Sequence, residues 1–255
     1  MAISFIYANY ALALTYSLTP QAVYFDYLEV DDQADILDTE TGWLTGIDVG
    51  IAIPAGAFTF SSHVNYLQGD VAYNGHSQAG TVHRTQTQQQ IVNYGASGQY
   101  YFNVNRFTLI PTLAIDKFYW RRDIQRKGVV SGLTEDYQWL LIKPSLELLF
   151  KPHKRPIWSL QLGLNRSEDI SMKVHATACT QSVTVFPKAD NGWFTQLKAF
   201  SFLGPQYGLI TFLKYENWKM KKSDSKIANS CVGPLTWSEP KNETTLWSLG
   251  ITIRY

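Results

Sequence analysis

The sequence lacks long apolar runs, strong net charge and all but two cysteines. No uninterrupted apolar segment approaches the roughly 18 residues of a membrane-spanning helix, and the mean hydropathy is −0.16. A helical membrane protein is therefore excluded. The net charge of +1 offers no field for nucleic acid, and the chain has neither a zinc-type cysteine spacing nor a glycine-rich phosphate loop. We therefore expect no metal, no cofactor and no nucleic-acid partner.

The start of the chain also lacks a secretory signal, because Met1-Ala2-Ile3-Ser4 contains no basic segment followed by an apolar one. We interpret the chain as a mature form that carries a start codon. No linker-like stretch divides it, so we expect one domain over residues 1–255. Cys179 and Cys231 both lie in polar sequence. Outside the cytoplasm they would form a disulfide, and two unrelated thiols are the alternative.

The chain does have a regular alternation of apolar and polar residues, which is clearest in its last ten residues. One face would carry Trp247, Leu249, Ile251, Ile253 and Tyr255, and the other Ser248, Gly250, Thr252 and Arg254. Similar alternation marks nine candidate strands at residues 43–53, 57–68, 90–102, 107–120, 137–150, 157–165, 192–203, 207–218 and 245–255. The connections between them alternate in length. Short ones lie at residues 54–56, 103–106, 151–156 and 204–206, and long ones at residues 69–89, 121–136, 166–191 and 219–244.

These features resemble bacterial outer-membrane β-barrels across the whole chain, without matching an individual family. A closing strand with a terminal aromatic residue resembles their assembly signal, and the connections resemble short periplasmic turns and long extracellular loops. The resemblance implies an all-β, antiparallel up-and-down transmembrane β-barrel, integral to the bacterial outer membrane. It also implies contact with outer-membrane lipid and lipopolysaccharide, and with the assembly machinery through the C-terminal strand. Aromatic residues near strand ends would form two interfacial girdles: Trp43, Phe102, Phe150, Trp158, Trp193, Trp247 and Tyr255.

The N-terminal region leaves the strand number open between ten and twelve. Residues 10–18 and 22–30 are two further strand candidates, but single-chain bacterial barrels have an even number of strands. Thr19-Pro20-Gln21 looks like a turn and favours twelve, with residues 2–8 as an extra strand. The few residues before Ala8 favour ten, with residues 22–30 as an extension above the membrane within a long first loop. We favour ten.

Alternation also places a set of ionisable side chains in the lumen. Charged groups at membrane depth must face water or each other, so this set would line a narrow pore or form a paired network. The predicted lumen-lining residues are Asp48, His63, Asp116, Lys143, Glu147, Lys198, Lys214, Glu216 and Arg254.

Basic residues gather in two of the long connections, where they would meet lipopolysaccharide phosphates or simply be solvated. The predicted surface basic residues are Arg121, Arg122, Arg126, Lys127, Lys219, Lys221 and Lys222.

Three functions fit this interpretation. The leading one is a narrow channel or uptake protein for a small polar solute. The alternative is a surface-binding or adhesin barrel with a plugged lumen and functional loops. The third is an outer-membrane hydrolase, and we predict no catalytic residue for it. Ser62 and His63 point to opposite faces of a strand, while Ser61 and His63 lie about 7 Å apart. Omptin proteases resemble the chain in size and strand number, but their acidic pair and Asp-His pair are missing.

Overall fold

The computed structural model describes residues 14–76, 80–128, 130–152, 156–176, 182–202, 207–230 and 233–255. These residues form antiparallel strands, and they contain no helix that is long and apolar enough to span a membrane. The strands in chain order are β1 Thr15–Val30, β2 Ile36–Ala55, β3 Phe58–His76, β4 Val82–Tyr100, β5 Phe102–Val104, β6 Phe107–Ile124, β7 Leu133–Phe150, β8 Ile157–Ala176, β9 Ser182–Val185, β10 Lys188–Ala189, β11 Asn191–Phe202, β12 Gly208–Lys221, β13 Lys226–Ser230, β14 Gly233–Trp237 and β15 Lys241–Arg254.

Ten of these strands form a closed meander barrel: β1, β2, β3, β4, β6, β7, β8, β11, β12 and β15. Each pairs with its neighbour in this order, and β15 pairs with β1. At this seam Tyr16 and Tyr255 exchange both backbone hydrogen bonds, with N···O distances of 2.8 and 3.0 Å. The predicted all-β transmembrane barrel fold and the choice of ten strands are confirmed.

The N-terminal region differs from both alternatives in detail. Strand β1 runs without interruption through Thr19-Pro20-Gln21, so the turn expected there is wrong. Residues 22–30 continue the wall as the upper part of β1 and are paired with both β2 and β15. The extra strand considered at residues 2–8 lies outside the described residues.

Prolines inside the wall coincide with gaps in the hydrogen-bonded ladder. Pairing between β1 and β15 skips Pro20 and its neighbour, and pairing between β7 and β8 skips Pro144 and its neighbour. On their other sides Pro20 still pairs with Ile47 and Pro144 with Leu113. Because proline has no N–H, each ring removes one ladder bond on one side, and the barrel tolerates this loss without a break in the strand.

Two rings of outward-facing aromatic side chains encircle the wall. The outer girdle contains Tyr24, Trp43, Tyr94, Tyr119, Trp193, Tyr215 and Trp247. The turn-side girdle contains Tyr16, Phe58, Tyr100, Phe102, Phe107, Phe150, Trp158, Tyr207 and Tyr255. From Trp247 to Tyr255 the chain takes 255 − 247 = 8 steps. At about 3.3 Å a step and a tilt of about 40°, the girdles are about 20 Å apart, close to the apolar band of a membrane barrel.

Between the girdles the wall is apolar outside and polar inside. In β2 the exposed residues are Ile47, Val49, Ile51 and Ile53, whereas Asp48 and Gly50 face the lumen. This is the assignment that alternation predicts. The apolar outer face and the polar inner face follow from the two-residue period of a strand, because adjacent side chains point to opposite faces.

Beyond the outer girdle the strands continue and their polarity inverts. We call this part of the barrel, on the far side of the outer girdle from the turns, the extension. Its interior is apolar, with Phe25, Trp120 and Trp139 almost fully buried, while Arg121 and Gln138 face outward. The expected long loops are therefore wrong in extent. In place of a loop over residues 69–89, β3 continues to His76 and β4 begins at Val82.

Candidate functional site

The predicted lumen residues meet on the inner wall between the two girdles, where they form three ion pairs. Lys143 pairs with Asp116, Lys198 Nζ lies 2.8 Å from Glu147 Oε2, and Lys214 Nζ lies 2.5 Å from Glu216 Oε2. Asp116 is fully buried. Pairing of this kind compensates part of the cost of holding charges at membrane depth.

His63 approaches the first of these pairs across a glycine. In the register of the wall, His63 on β3 faces Gly95 on β4, which in turn faces Asp116 on β6. A Cβ atom at Gly95 would lie 1.9 Å from Asp116 Oδ1, so only glycine leaves room for this carboxylate. As a result His63 Nε2 lies 3.8 Å from Asp116 Oδ1.

A chain of hydrogen-bonded amides ends at His63. Gln21 donates to Asn65 at 2.6 Å, Asn65 donates to Asn93 at 2.8 Å, and the Asn93 amide donates to His63 Nε2 at 3.3 Å. Ser61 bonds instead to Ser97, at 2.7 Å between the hydroxyl oxygens. No serine–histidine pair forms here.

A cavity of about 200 Å³ lies within this polar layer. Its charged lining residues are Asp48, Lys143, Lys214 and Glu216, and its polar ones include His63 and the amides of Gln21 and Asn65. A second cavity of about 260 Å³ shares Asp48 and His63 and continues along small wall residues to Arg254 at the turn side. The lumen is thus hollow on its turn side.

An aromatic layer closes the lumen above this cavity. We call it the plug, and its residues are Phe25, Phe118, Trp120, Tyr137, Trp139 and Trp218. Phe118 stacks on Trp139 with ring centroids 4.9 Å apart, and Trp218 meets both rings edge-on at 5.1 and 5.6 Å. Each plug side chain is at most 3% exposed. Such interdigitated packing leaves no aqueous path.

Above the plug, Arg122 is fully buried among carboxylates and tyrosines. Its guanidinium donates to Glu135 at 2.6 Å, to Glu40 at 3.0 Å and to the Tyr27 hydroxyl at 3.1 Å. It also lies 4.1 Å from the centre of the Tyr27 ring. The cluster formed by Arg122 with Glu29, Asp38, Glu40, Glu135 and Glu239 therefore holds five carboxyl groups around one guanidinium.

The excess of buried carboxyl groups raises the pKa of two of them. Burial, followed by the charge of Glu239, raises the pKa of Glu29 to about 8. Burial, followed by the charge of Glu135, raises the pKa of Glu239 to about 8. At neutral pH both groups therefore carry a proton, which reduces the repulsion within the cluster.

Among the described residues, no group of three or more metal-binding side chains is arranged to hold a metal ion.

The surface basic set needs one correction. Arg122 lies inside the barrel, because β6 extends through it to Ile124 and adjacent residues of a strand face opposite sides. Its neighbour Arg121 is exposed and lies 4.0 Å from Asp136. Arg126 and Lys127 are exposed as well. Three outer lysines pair with carboxylates: Lys219 with Glu243 at 3.3 Å, Lys221 with Asp190 at 3.7 Å and Lys222 with Asp32 at 2.5 Å.

Arg254 lies at the turn-side mouth and is exposed there, although its strand position faces inward. Cys179 and Cys231, the predicted disulfide partners, lie outside the described residues.

The sequence interpretation missed the plug and the Arg122 cluster. The signal was an alternation of buried residues that continues from the predicted strands, at Phe118, Trp120 and Trp139, into the supposed loop at Arg122 and Glu135.

Solved structures with a similar fold are outer-membrane barrels. The outer membrane protease OmpT from Escherichia coli has a TM-score of 0.57 and 7% identity, over 95% of this chain and 96% of that one. The translocator domain of the autotransporter NalP from Neisseria meningitidis has a TM-score of 0.49 and 8% identity, over 94% of this chain and 88% of that one. The toluene transporter TbuX from Ralstonia pickettii has a TM-score of 0.46 and 9% identity, over 96% of this chain and 89% of that one. No family model matches the chain, and no curated protein is similar in sequence.

At 7% identity the likeness to OmpT shows the barrel fold alone and does not carry its activity to this chain. In the extension the nearest acid–histidine contact joins His175 Nε2 and Asp136 Oδ2 at 4.0 Å, and both side chains are exposed. This distance is too long for a hydrogen bond. Among the described residues, the extension therefore presents no histidine that is positioned as a general base by a carboxylate.

Proposed function

We propose that the protein is an integral outer-membrane barrel with a closed lumen, which acts at the cell surface as a binding protein through its extension. The plug carries this proposal. Three tryptophans and their neighbours fill the lumen at the outer girdle, so a solute has no open path through the barrel. The functional surface then lies on the extension.

The orientation follows from the two girdles and the connections. In outer-membrane barrels short turns face the periplasm, so our proposal takes the extension to lie outside the cell. The apolar band would contact outer-membrane lipid, and basic side chains just beyond the outer girdle, such as Lys219, would meet lipopolysaccharide phosphates. Strand β15, with its exposed aromatic end, is the segment for the assembly machinery to recognise.

The rim of the extension carries two strongly exposed apolar side chains, and a cation lies against one of them. Ile227 is 79% exposed and Phe186 is 55% exposed, and Lys226 Nζ lies 4.3 Å from the centre of the Phe186 ring. Large apolar side chains so exposed on an extramembrane surface are typical anchors of a protein interface. We infer that these side chains contact a protein partner outside the cell.

The test is adhesion of bacteria that display the full chain to immobilised fibronectin, laminin and collagen. We expect adhesion to at least one of them, with a loss of about tenfold in the Phe186→Ala, Ile227→Ala double variant, because two interface anchors are removed. Leu213→Ala, an exposed apolar residue within the membrane band, is the matched control and should leave adhesion unchanged. Equal adhesion by the double variant and the wild type would contradict the proposal.

A second candidate is a gated channel for a small polar solute, and the hollow polar layer below the plug favours it. It requires the plug to move. Swelling of proteoliposomes in arabinose or glycine by the wild-type protein would favour this candidate over the closed barrel, and Lys143→Glu should then change the rates for charged solutes.

A further inference from the structure

The cavity around Asp48 has the properties of a small binding site. Its volume of about 200 Å³ exceeds the 150 Å³ or so that suffices for benzene in an engineered protein cavity. The plug closes it on one side, and the second cavity opens it toward the turn side. A molecule slightly larger than benzene would therefore fit without moving the wall.

The charges around this cavity leave one carboxylate without a partner. Lys143 is held by Asp116 and Lys214 by Glu216. No described side chain forms an ion pair or a hydrogen bond with Asp48. Among the described charged side chains that line the cavity, Asp48 is therefore the one without a paired ion.

The other side of the cavity is aromatic. Phe118, Phe212 and Trp218 line it together with Leu67, Ile91 and Leu246. A carboxylate opposite aromatic faces favours an organic cation over a metal ion, because the ring faces attract the charge while the apolar groups of the cation replace water. The aromatic side also disfavours an anion.

Small residues keep the approach to Asp48 open. The connecting cavity passes Ser17, Gly50, Ala52 and Ser61 before it reaches Arg254 at the mouth. A Cβ atom at Gly50 would lie 2.7 Å from Ser17 Oγ, so a larger residue there would narrow the path. Arg254 is exposed, so water and salt screen its repulsion of an entering cation.

We propose that this cavity binds a small organic ammonium ion entering from the turn side, with its charge at the Asp48 carboxylate and its carbon atoms against Phe118, Phe212 and Trp218. The site lies on the opposite side of the plug from the exposed side chains proposed to bind a partner. It is therefore independent of the function proposed for the extension.

The test uses tetramethylammonium with two probes of similar size and shape, neutral tert-butanol and anionic pivalate. Binding to the full chain in detergent is measured by saturation-transfer-difference NMR at constant ionic strength. We expect tetramethylammonium to bind at least tenfold more tightly than either analogue. Asp48→Asn should weaken it at least tenfold, because the site loses its unpaired carboxylate.

Two variants separate binding from folding. Asp70→Asn changes an exposed carboxylate on the outer face of β3 and should leave tetramethylammonium binding unchanged. Phe212→Leu keeps an apolar side chain but removes one aromatic face, and it should weaken tetramethylammonium severalfold while leaving tert-butanol binding unchanged. Equal binding of the three probes, or unchanged tetramethylammonium binding by folded Asp48→Asn, would overturn the proposal.

Discussion

At the scale of residues, neighbours in sequence have opposite roles in this wall. Arg121 is exposed on the outer face, whereas Arg122 is the only described guanidinium within the buried cluster above the plug. Removing the buried charge would leave Glu40 and Glu135 facing each other without compensation. The free energy of unfolding should therefore depend on Arg122 far more than on Arg121.

Replacing Arg122 by Gln should destabilise the folded barrel by about 3–5 kcal/mol, the usual cost of breaking a buried ion pair from one side. The measurement is a urea unfolding titration of the protein refolded in lipid vesicles. Arg121→Gln is the matched control, and it should cost at most about 1 kcal/mol because its partner Asp136 is exposed. Similar costs for the two variants would show that the cluster is not a stabilising element.

The raised pKa values of Glu29 and Glu239 predict a pH dependence of the extension. Each carboxyl has a pKa of about 8 in the folded chain and an ordinary value of 4.5. Between these values the folded state binds more protons than the unfolded state, so stability is full below pH 4.5 and falls as the pH rises to about 8. Above pH 8 the stability that these two protonated carboxyl groups contribute is lost completely.

Amide hydrogen exchange in the upper parts of β1 and β2 measures this effect. The double variant Glu29→Gln, Glu239→Gln should keep its protection as the pH rises from 5 to 8, whereas the wild type loses protection after correction for intrinsic exchange. Glu243→Gln, which changes a carboxyl on the outer face of β15, should behave as the wild type does. Identical pH profiles for the double variant and the wild type would contradict the assignment.

At the scale of elements, alternation predicted which residues share a face but not where the environment changes. Residues 43–53 were assigned correctly because their outward face is apolar and lies in the membrane band. Residues 121–136 looked like a loop because a polar outward face there replaces the apolar one. The strand period continues through that change, and only the solvent outside the wall differs.

The position of the plug depends on contacts that no local pattern encodes. Phe118 lies on β6, Trp139 on β7 and Trp218 on β12, and they meet only when the barrel closes. The same is true of Arg122 and Glu40, which lie on β6 and β2. In contrast, the lumen ion pairs join residues whose inward orientation could be read from their strands, so their common layer was predictable.

The polarity change within a strand makes a direct prediction for β2. Val49→Lys places a charge on the lipid face between the girdles and should cost about 2–4 kcal/mol, while Thr41→Lys, on the same face beyond Trp43, should cost about 0–1 kcal/mol. Both costs are measured by unfolding titrations in lipid vesicles. Equal costs would mean that the outer girdle does not mark the membrane boundary.

At the scale of the whole molecule, the barrel has three stacked interiors. A hollow polar layer opens on the turn side, the plug closes it at the outer girdle, and the Arg122 cluster fills the extension. The wall is continuous through all three, but its outer surface changes from apolar to polar at the girdle. In the function that we propose, this closed barrel presents a surface beyond the membrane without opening a path across it.

Conductance in a planar lipid bilayer tests the closed lumen most directly. The wild-type protein should give no channel current, and the triple variant Trp120→Ala, Trp139→Ala, Trp218→Ala, once shown to be folded, should conduct because the plug has been removed. A steady current through the wild-type protein whose ion selectivity changes in Lys143→Glu would contradict a closed barrel.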